Sequence, residues 1–173
     1  IVADTYNIFM AEGSGTKTFS GDVTVSDDFI VNDGVTSSVG TNTLTVTDST
    51  DINGTITATT GTIDANGVFD ATGGSITFFG AGNLFLGLET VSLGSLFVDN
   101  GTVIYDGVEQ DIFPDEYNNL IIGGSLGTKY LNTGNLQSYG NLSINSGVTC
   151  ALGSGDIIVT DSTDINGTLI ISS

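Results

Sequence analysis

"VTDSTDINGT" occupies residues 46–55 and occurs again, letter for letter, at residues 159–168. Such recurrence marks a chain that stacks one small unit on the next. Sliding the sequence against itself carries the match back to the first residue. Tyr6-Asn7 falls on Tyr117-Asn118, "GSGTK" (13–17) on "GSLGTK" (124–129), and "NDGVT" (32–36) on "NSGVT" (145–149). Single-residue insertions at Leu126 and Thr133 widen the offset from 111 to 113, and 25 of 55 aligned positions are identical. Residues 1–55 thus return as 112–168, residues 56–111 lie between, and 1–173 reads as a single domain.

A finer period runs inside each copy. Val23-Thr24-Val25, Phe29-Ile30-Val31 and Val35-Thr36 are followed roughly 21 residues later by Leu44-Thr45-Val46, Asp51-Ile52 and Thr55-Ile56-Thr57. The composition, rich in Val, Ile, Thr, Gly, Asn and Asp with Pro114 as the only proline, is that of short strands and tight turns. The predicted fold is all-β: a right-handed parallel β-helix (β-solenoid), three short strands per coil of about 21 residues. About eight coils at ~4.8 Å make a rod of roughly 40 Å. Asn-Gly, Asp-Gly and Ser-Gly pairs are predicted to turn the corners through positive φ. Helices are excluded by frequent glycine, and a β-sandwich gives no reason for the period. "DGVEQDIFPDEYNN" (106–119), with five acids and the proline, is the stretch least like a coil. It is predicted to be an outward excursion or an enlarged corner.

Twenty Asp and Glu stand against Lys17 and Lys129, with no Arg or His, for a net charge of −18. Nucleic acid is excluded as a partner, because duplex binding neutralises phosphates with cations this chain lacks. Anionic membrane surfaces are excluded on the same ground. No apolar run approaches the ~20 residues of a membrane helix, so no membrane insertion is expected. Cys150 is the only cysteine, which rules out an internal disulfide. Ile1 in place of Met reads as a processed or partial N-terminus.

At "YNNLIIGGSLGTKYLNTGNLQSYGNLSINSGVT" (117–149) the chain resembles a family of long, repetitive, extracellular β-helix surface and adhesin proteins of Bacteroidota and related bacteria. In these, units of the form YNNL.I.GSGTKTL.G...V.GNL.I..G recur. Tyr117, Asn118, Gly127, Thr128, Lys129, Gly140, Asn141, Leu142 and Gly147 carry the likeness, echoed by Tyr6, Asn7, Gly15, Thr16, Lys17 and Gly34. It covers the two copies and leaves 56–111 as generic β-helix. The resemblance implies an extracellular or cell-surface location and a structural, adhesive or biofilm-matrix role, with surface glycans as a further partner.

Parallel β-helices also include enzymes that cleave polysaccharides. Hydrolysis can run on two carboxylates, and Asp48 with Asp51, or Asp27 with Asp28, are the candidate pairs. Asp48 and Asp51 recur as Asp161 and Asp164, however, and a duplicated catalytic pair argues for a solvated corner instead. The chain is therefore read as no enzyme. Asp51-Ile52-Asn53-Gly54 resembles part of a calcium loop but lacks its closing acid, Thr60 standing there. Asp51 is predicted to cap the corner at Asn53-Gly54. No cofactor is expected beyond weak, non-specific Ca2+ binding.

Ser49, Thr50, Ser162 and Thr163 follow an aspartate in the manner of O-glycosylation acceptors of Bacteroidota, and Asn53, Asn100, Asn141 and Asn166 fit N-x-Ser/Thr. Lys17 and Lys129 are expected to be partly exposed strand residues meeting carboxylates. Tyr105, Tyr117, Tyr130 and Tyr139 are too scattered to form a sugar-stacking groove. The remaining candidates are the ends. A solenoid end is a ring of unpaired backbone groups over an apolar core, and no capping helix is visible. Ile1, Val2, Ile8 and Phe9 at one end and Leu169, Ile170 and Ile171 at the other are predicted to carry head-to-tail self-association into a filament. The alternative reading is a carbohydrate-binding or carbohydrate-cleaving β-helix.

Overall fold

A computed structural model describes residues 1–97 and 99–171. Among these, the chain winds through 26 short strands and no helix. The first coil is β1 (Thr5–Tyr6), β2 (Phe9–Ala11) and β3 (Gly15–Thr18). The second is β4 (Val23–Val25), β5 (Phe29–Val31) and β6 (Val35–Gly40), and the third β7 (Thr43–Val46), β8 (Thr50–Ile52) and β9 (Thr55–Ala58). Then follow β10 (Thr62–Ala65), β11 (Phe69–Asp70), β12 (Ser75–Phe78), and β13 (Asn83–Leu86), β14 (Thr90–Ser92), β15 (Ser95–Phe97). The sixth coil is β16 (Thr102–Tyr105), β17 (Gln110–Asp111) and β18 (Glu116–Tyr117); the seventh is β19 (Asn119–Ile122), β20 (Gly127–Leu131) and β21 (Leu136–Ser138). The last strands are β22 (Leu142–Ile144), β23 (Val148–Leu152), β24 (Ile157–Val159), β25 (Thr163–Ile165) and β26 (Thr168–Ile171).

All pairings are parallel, so the predicted β-solenoid of three strands per turn is the fold. One face is an unbroken nine-stranded sheet running from β1 to β25. The second face is a five-stranded sheet, β2 to β14, followed by a four-stranded one, β17 to β26. The third is five-stranded, β3 to β15, then three-stranded, β18 to β24. Two of the three faces therefore change sheets between the fifth and sixth coils.

Alternation within each strand sends every second side chain inward. In-register stacking then piles like on like. Val23, Leu44, Ile63, Leu84, Val103, Leu120 and Leu142 form one continuous internal column on the first face. Each is almost wholly buried, and each such aliphatic contributes about 1.5–3 kcal/mol of hydrophobic stabilisation.

The corners correct one sequence expectation. Gly34 and Gly147, after Asp33 and Ser146, do have positive φ, 75° and 79°. Gly54 and Gly167, in the two Asn-Gly corners, are absent from the positive-φ set. There glycine is required by close approach: a Cβ on Gly54 would lie 2.4 Å from the carbonyl oxygens of Asn32 and Val35, and on Gly167 2.3 Å from that of Val148.

The identical decamers occupy different faces. In the first copy β7, β8 and β9 lie on the first, second and third faces, whereas their counterparts β24, β25 and β26 lie on the third, first and second. Strand β1 corresponds to β18, seventeen strands on (18 − 1), which is five coils and two strands. The duplicated sequence is thus wound in twice, the second time displaced by one face.

The seam at the sixth coil is stitched from inside. Gln110, buried, donates through Nε2 to the carbonyls of Leu86 (3.0 Å) and Leu88 (2.8 Å) and accepts from the Gly107 amide (2.6 Å). Tyr105 and Tyr117, expected among the scattered surface tyrosines, are instead fully buried, because inward strand positions place both rings in the core. Their hydroxyls hydrogen-bond each other, the Phe113 amide donates to Tyr105 and Tyr117 donates to the Phe113 carbonyl. The 106–119 stretch is an enlarged corner whose backbone polar groups are satisfied by core phenols.

Candidate functional site

The duplication supplies an internal control for the two ends, since each repeated residue is seen once with a neighbouring coil and once without. At the N-terminal end Tyr6, Phe9 and Lys17 are half-buried; their counterparts Tyr117, Leu120 and Lys129, which have the sixth coil beneath them, are fully buried. At the far end Ile157, Val159 and Leu169 are half-buried and Ile165 is 44% exposed. Their counterparts Leu44, Val46, Ile56 and Ile52, covered by the fourth coil, are all at 0%.

Of the residues predicted to form the ends, Ile1 and Phe9 pack on the core while Val2 and Ile8 are exposed. The Ile1 ammonium donates to the Thr18 carbonyl and the Ser20 amide to the Ile1 carbonyl, so this first residue lies across the underside of the coil. Phe9 stacks on Phe29 with ring centroids 5.6 Å apart. At the other end Leu169 and Ile171 line an open apolar hollow with Leu142, Leu152, Ile157 and Val159. Ile170 faces outward on the flank instead.

The lysine expectation is corrected at one copy. Lys129 points inward, between Gln110 and Cys150 in the stack, and is 0% exposed. Its ammonium donates to the Ser125 carbonyl at 2.9 Å. Burial holds its pKa below the usual lysine value, an effect opposed by Asp106. Asp106 is itself pushed up, mainly by burial, and its Oδ1 has no hydrogen-bond partner among the described residues. Lys17 repeats the gesture with the Ser14 carbonyl at 3.2 Å. The "GS(L)GTK" repeat is therefore a turn closed by its own lysine.

Among the candidate carboxylates, Asp27, Asp28 and Asp48 come together, one oxygen of each within 4.8 Å of the others. Asp51 stands outside this trio, which pairs Asp48 with Asp27 and Asp28 instead. The trio is not repeated, since Gly140 and Asn141 stand where Asp27 and Asp28 do. The Ser49 hydroxyl donates to Asp28, as Ser162 does to Asn141. Asp51 accepts from Asn53 Nδ2 at 2.9 Å and Asp164 from Asn166 at 3.0 Å, the corner cap expected of them.

Among the glycosylation acceptors Ser162 and Thr163 are exposed and Ser49 is half-buried. Thr50 is corrected: it points into the core at 1% exposure and cannot accept a sugar in the folded rod. Cys150 is buried, and burial pushes its thiol up to about 11.

Sequence reasoning missed one surface feature. Where the second face changes sheets, Leu88, Glu89, Glu109, Gln110, Asp111 and Tyr130 line an open cleft. The acid-rich 106–119 stretch was the available signal, but the partners Leu88 and Tyr130 come from neighbouring coils that only the stacking reveals. No helix is long and apolar enough to cross a membrane. No family model matches the sequence, and neither a curated protein nor a solved structure matches it significantly.

Proposed function

We propose that this chain is a structural length of an extracellular filament or surface adhesin that assembles by end-to-end stacking of β-helix coils. The unequal burial of duplicated residues supports the reading: the same side chains that are sealed by a neighbouring coil in one copy are open to water in the other. Exposed strand edges and apolar cross-sections are surfaces that recruit another layer. The charge of −18 works in the same direction. Like-charged flanks repel side-to-side aggregation and leave the ends as the adhesive surfaces, with salt easing the approach of two rods. The reading assigns no catalytic residue and no cofactor.

Sedimentation velocity and negative-stain microscopy of the 173-residue protein test it. Unbranched fibres of uniform width that lengthen with protein concentration and salt are expected. Single short rods at every salt concentration would refute it.

The cleft at the seam favours a second reading, carbohydrate binding. Glu89, Glu109 and Asp111 offer hydrogen-bond acceptors beside the ring of Tyr130, which is 36% exposed. Binding to immobilised glycans that is lost in Tyr130→Ala while fibre growth is unchanged would establish it as a separate activity.

A further inference from the structure

The duplication and the strand count together specify how two copies meet, and this rests on the stacking reading above. A solenoid is a spiral ramp, so each end carries a step. At the far end the ramp stops after β26 on the second face, leaving the slot above β24 as the next to be filled. At the near end the ramp starts with β1 on the first face. Two such ends close without a gap only when the steps coincide, as in a split washer.

We infer that a second copy of this chain docks on the far end turned by one face, its β1 over β24, its β2 over β25 and its β3 over β26. The arithmetic requires the turn. Twenty-six strands are eight complete coils and two strands over, so an uninterrupted ramp enters the next copy one face out of phase. Within the chain, the second copy of the repeat is displaced from the first by the same remainder of two strands. The docked copy's β1, β2 and β3 therefore take the faces already held by β18, β19 and β20.

The contact made has a precedent inside the rod. Strand β25 is Thr163-Asp164-Ile165, identical to Thr50-Asp51-Ile52 of β8. What covers β8 is Phe69-Asp70-Ala71, with Phe69 over Thr50 and Asp70 over Asp51, and with Phe69 and Ala71 inward and buried. Strand β2 is Phe9-Met10-Ala11, whose Phe9 and Ala11 also point inward. Turned by one face, the incoming copy lays Phe-x-Ala on Thr-Asp-Ile just as the fourth coil lays it on the third. Docking without the turn puts β2 on β26 and loses this match. The turned arrangement also places Lys17 over Leu169, giving it a coil beneath, as Lys129 has. Each copy adds eight and two-thirds coils, a rise of about 42 Å at ~4.8 Å per coil, with a rotation of roughly a third of a turn on top of the twist of the rod.

Disulfide trapping distinguishes the arrangements. In a Cys150→Ser background, which installs the residue that the first copy has as Ser37, one variant carries Thr18→Cys with Ile170→Cys. A second carries Met10→Cys with Ile170→Cys. All three positions face outward on strands at the ends. Mild oxidation is expected to convert the first variant into a ladder of covalent multimers and to leave the second at least tenfold less cross-linked. The reverse pattern overturns the turned docking while leaving stacking intact. If neither variant cross-links although fibres are present, the turned docking is equally overturned, and if no fibres form the stacking reading falls with it.

Discussion

The hydroxyl oxygens of Tyr105 and Tyr117 lie 3.0 Å apart inside the core, at the level where two of the three faces change sheets. This pair substitutes for ladder bonds that the enlarged corner removes. Tyr117→Phe leaves the Phe113 carbonyl and one side of Tyr105 unpartnered, and is expected to cost about 1–3 kcal/mol. Urea unfolding of the isolated rod measures it; a change below about 0.5 kcal/mol would show the pair to be dispensable.

Burial raises both phenols well above their ordinary value of 10.0. The folded state therefore holds these protons more tightly than the unfolded chain. Stability from this source is complete below pH ~10 and falls as the pH rises through and beyond it. A tyrosinate absorbance titration should show the two phenols ionising only as circular dichroism reports unfolding. Ionisation of all five tyrosines near pH 10 with the fold retained would contradict the burial.

Gly54→Ala and Gly15→Ala separate close approach from backbone conformation. Gly15 has φ 75° and nothing within 4 Å of where a Cβ would stand, whereas a Cβ on Gly54 would meet two carbonyl oxygens at 2.4 Å. The Gly15 substitution is expected to cost about 1 kcal/mol of backbone strain. The Gly54 substitution must push two coils apart and is expected to lower stability severalfold more, on the order of 3 kcal/mol or above. Equal melting temperatures for the two variants would refute the steric account.

Lys129→Met keeps the packed stem and removes an ammonium from the core. Replacing a buried charge by an apolar side chain of similar volume is often neutral or stabilising by about 1–4 kcal/mol. The variant is expected to match or exceed the parent at pH 7. Because the lysine pKa is depressed by folding, the parent gains on the variant as the pH climbs toward the ordinary lysine value. A loss of more than about 2 kcal/mol at pH 7 would mean that the bond to Ser125 matters more than desolvation.

Strand spacing, corner residues and duplication were legible in the sequence because in-register stacking repeats the same side chains at the same depth. The face displacement was not, since it depends on the strand count through 56–111, where the coils shorten and the repeat fades. The burial of Lys129 was hidden because a lysine in a strand gives no local sign of facing inward. Only the alternation with buried Leu131 and the coil beneath decide it. Thr50 is hidden for a similar reason: its motif is local, while its inward direction is set by stacking between Phe29 and Phe69. At the ends the sequence identified the apolar residues, and the paired burial of the two copies supplied the comparison that singles them out.

Electron microscopy of the parent beside Leu169→Asp tests end-to-end assembly most directly. The account predicts long fibres with a ~4.8 Å axial layer spacing for the parent, and dispersed rods of roughly 40 Å for the variant, whose new carboxylate faces the hollow that the next coil must fill. A parent that stays dispersed from low to molar salt, or a variant that forms the same fibres, would contradict it.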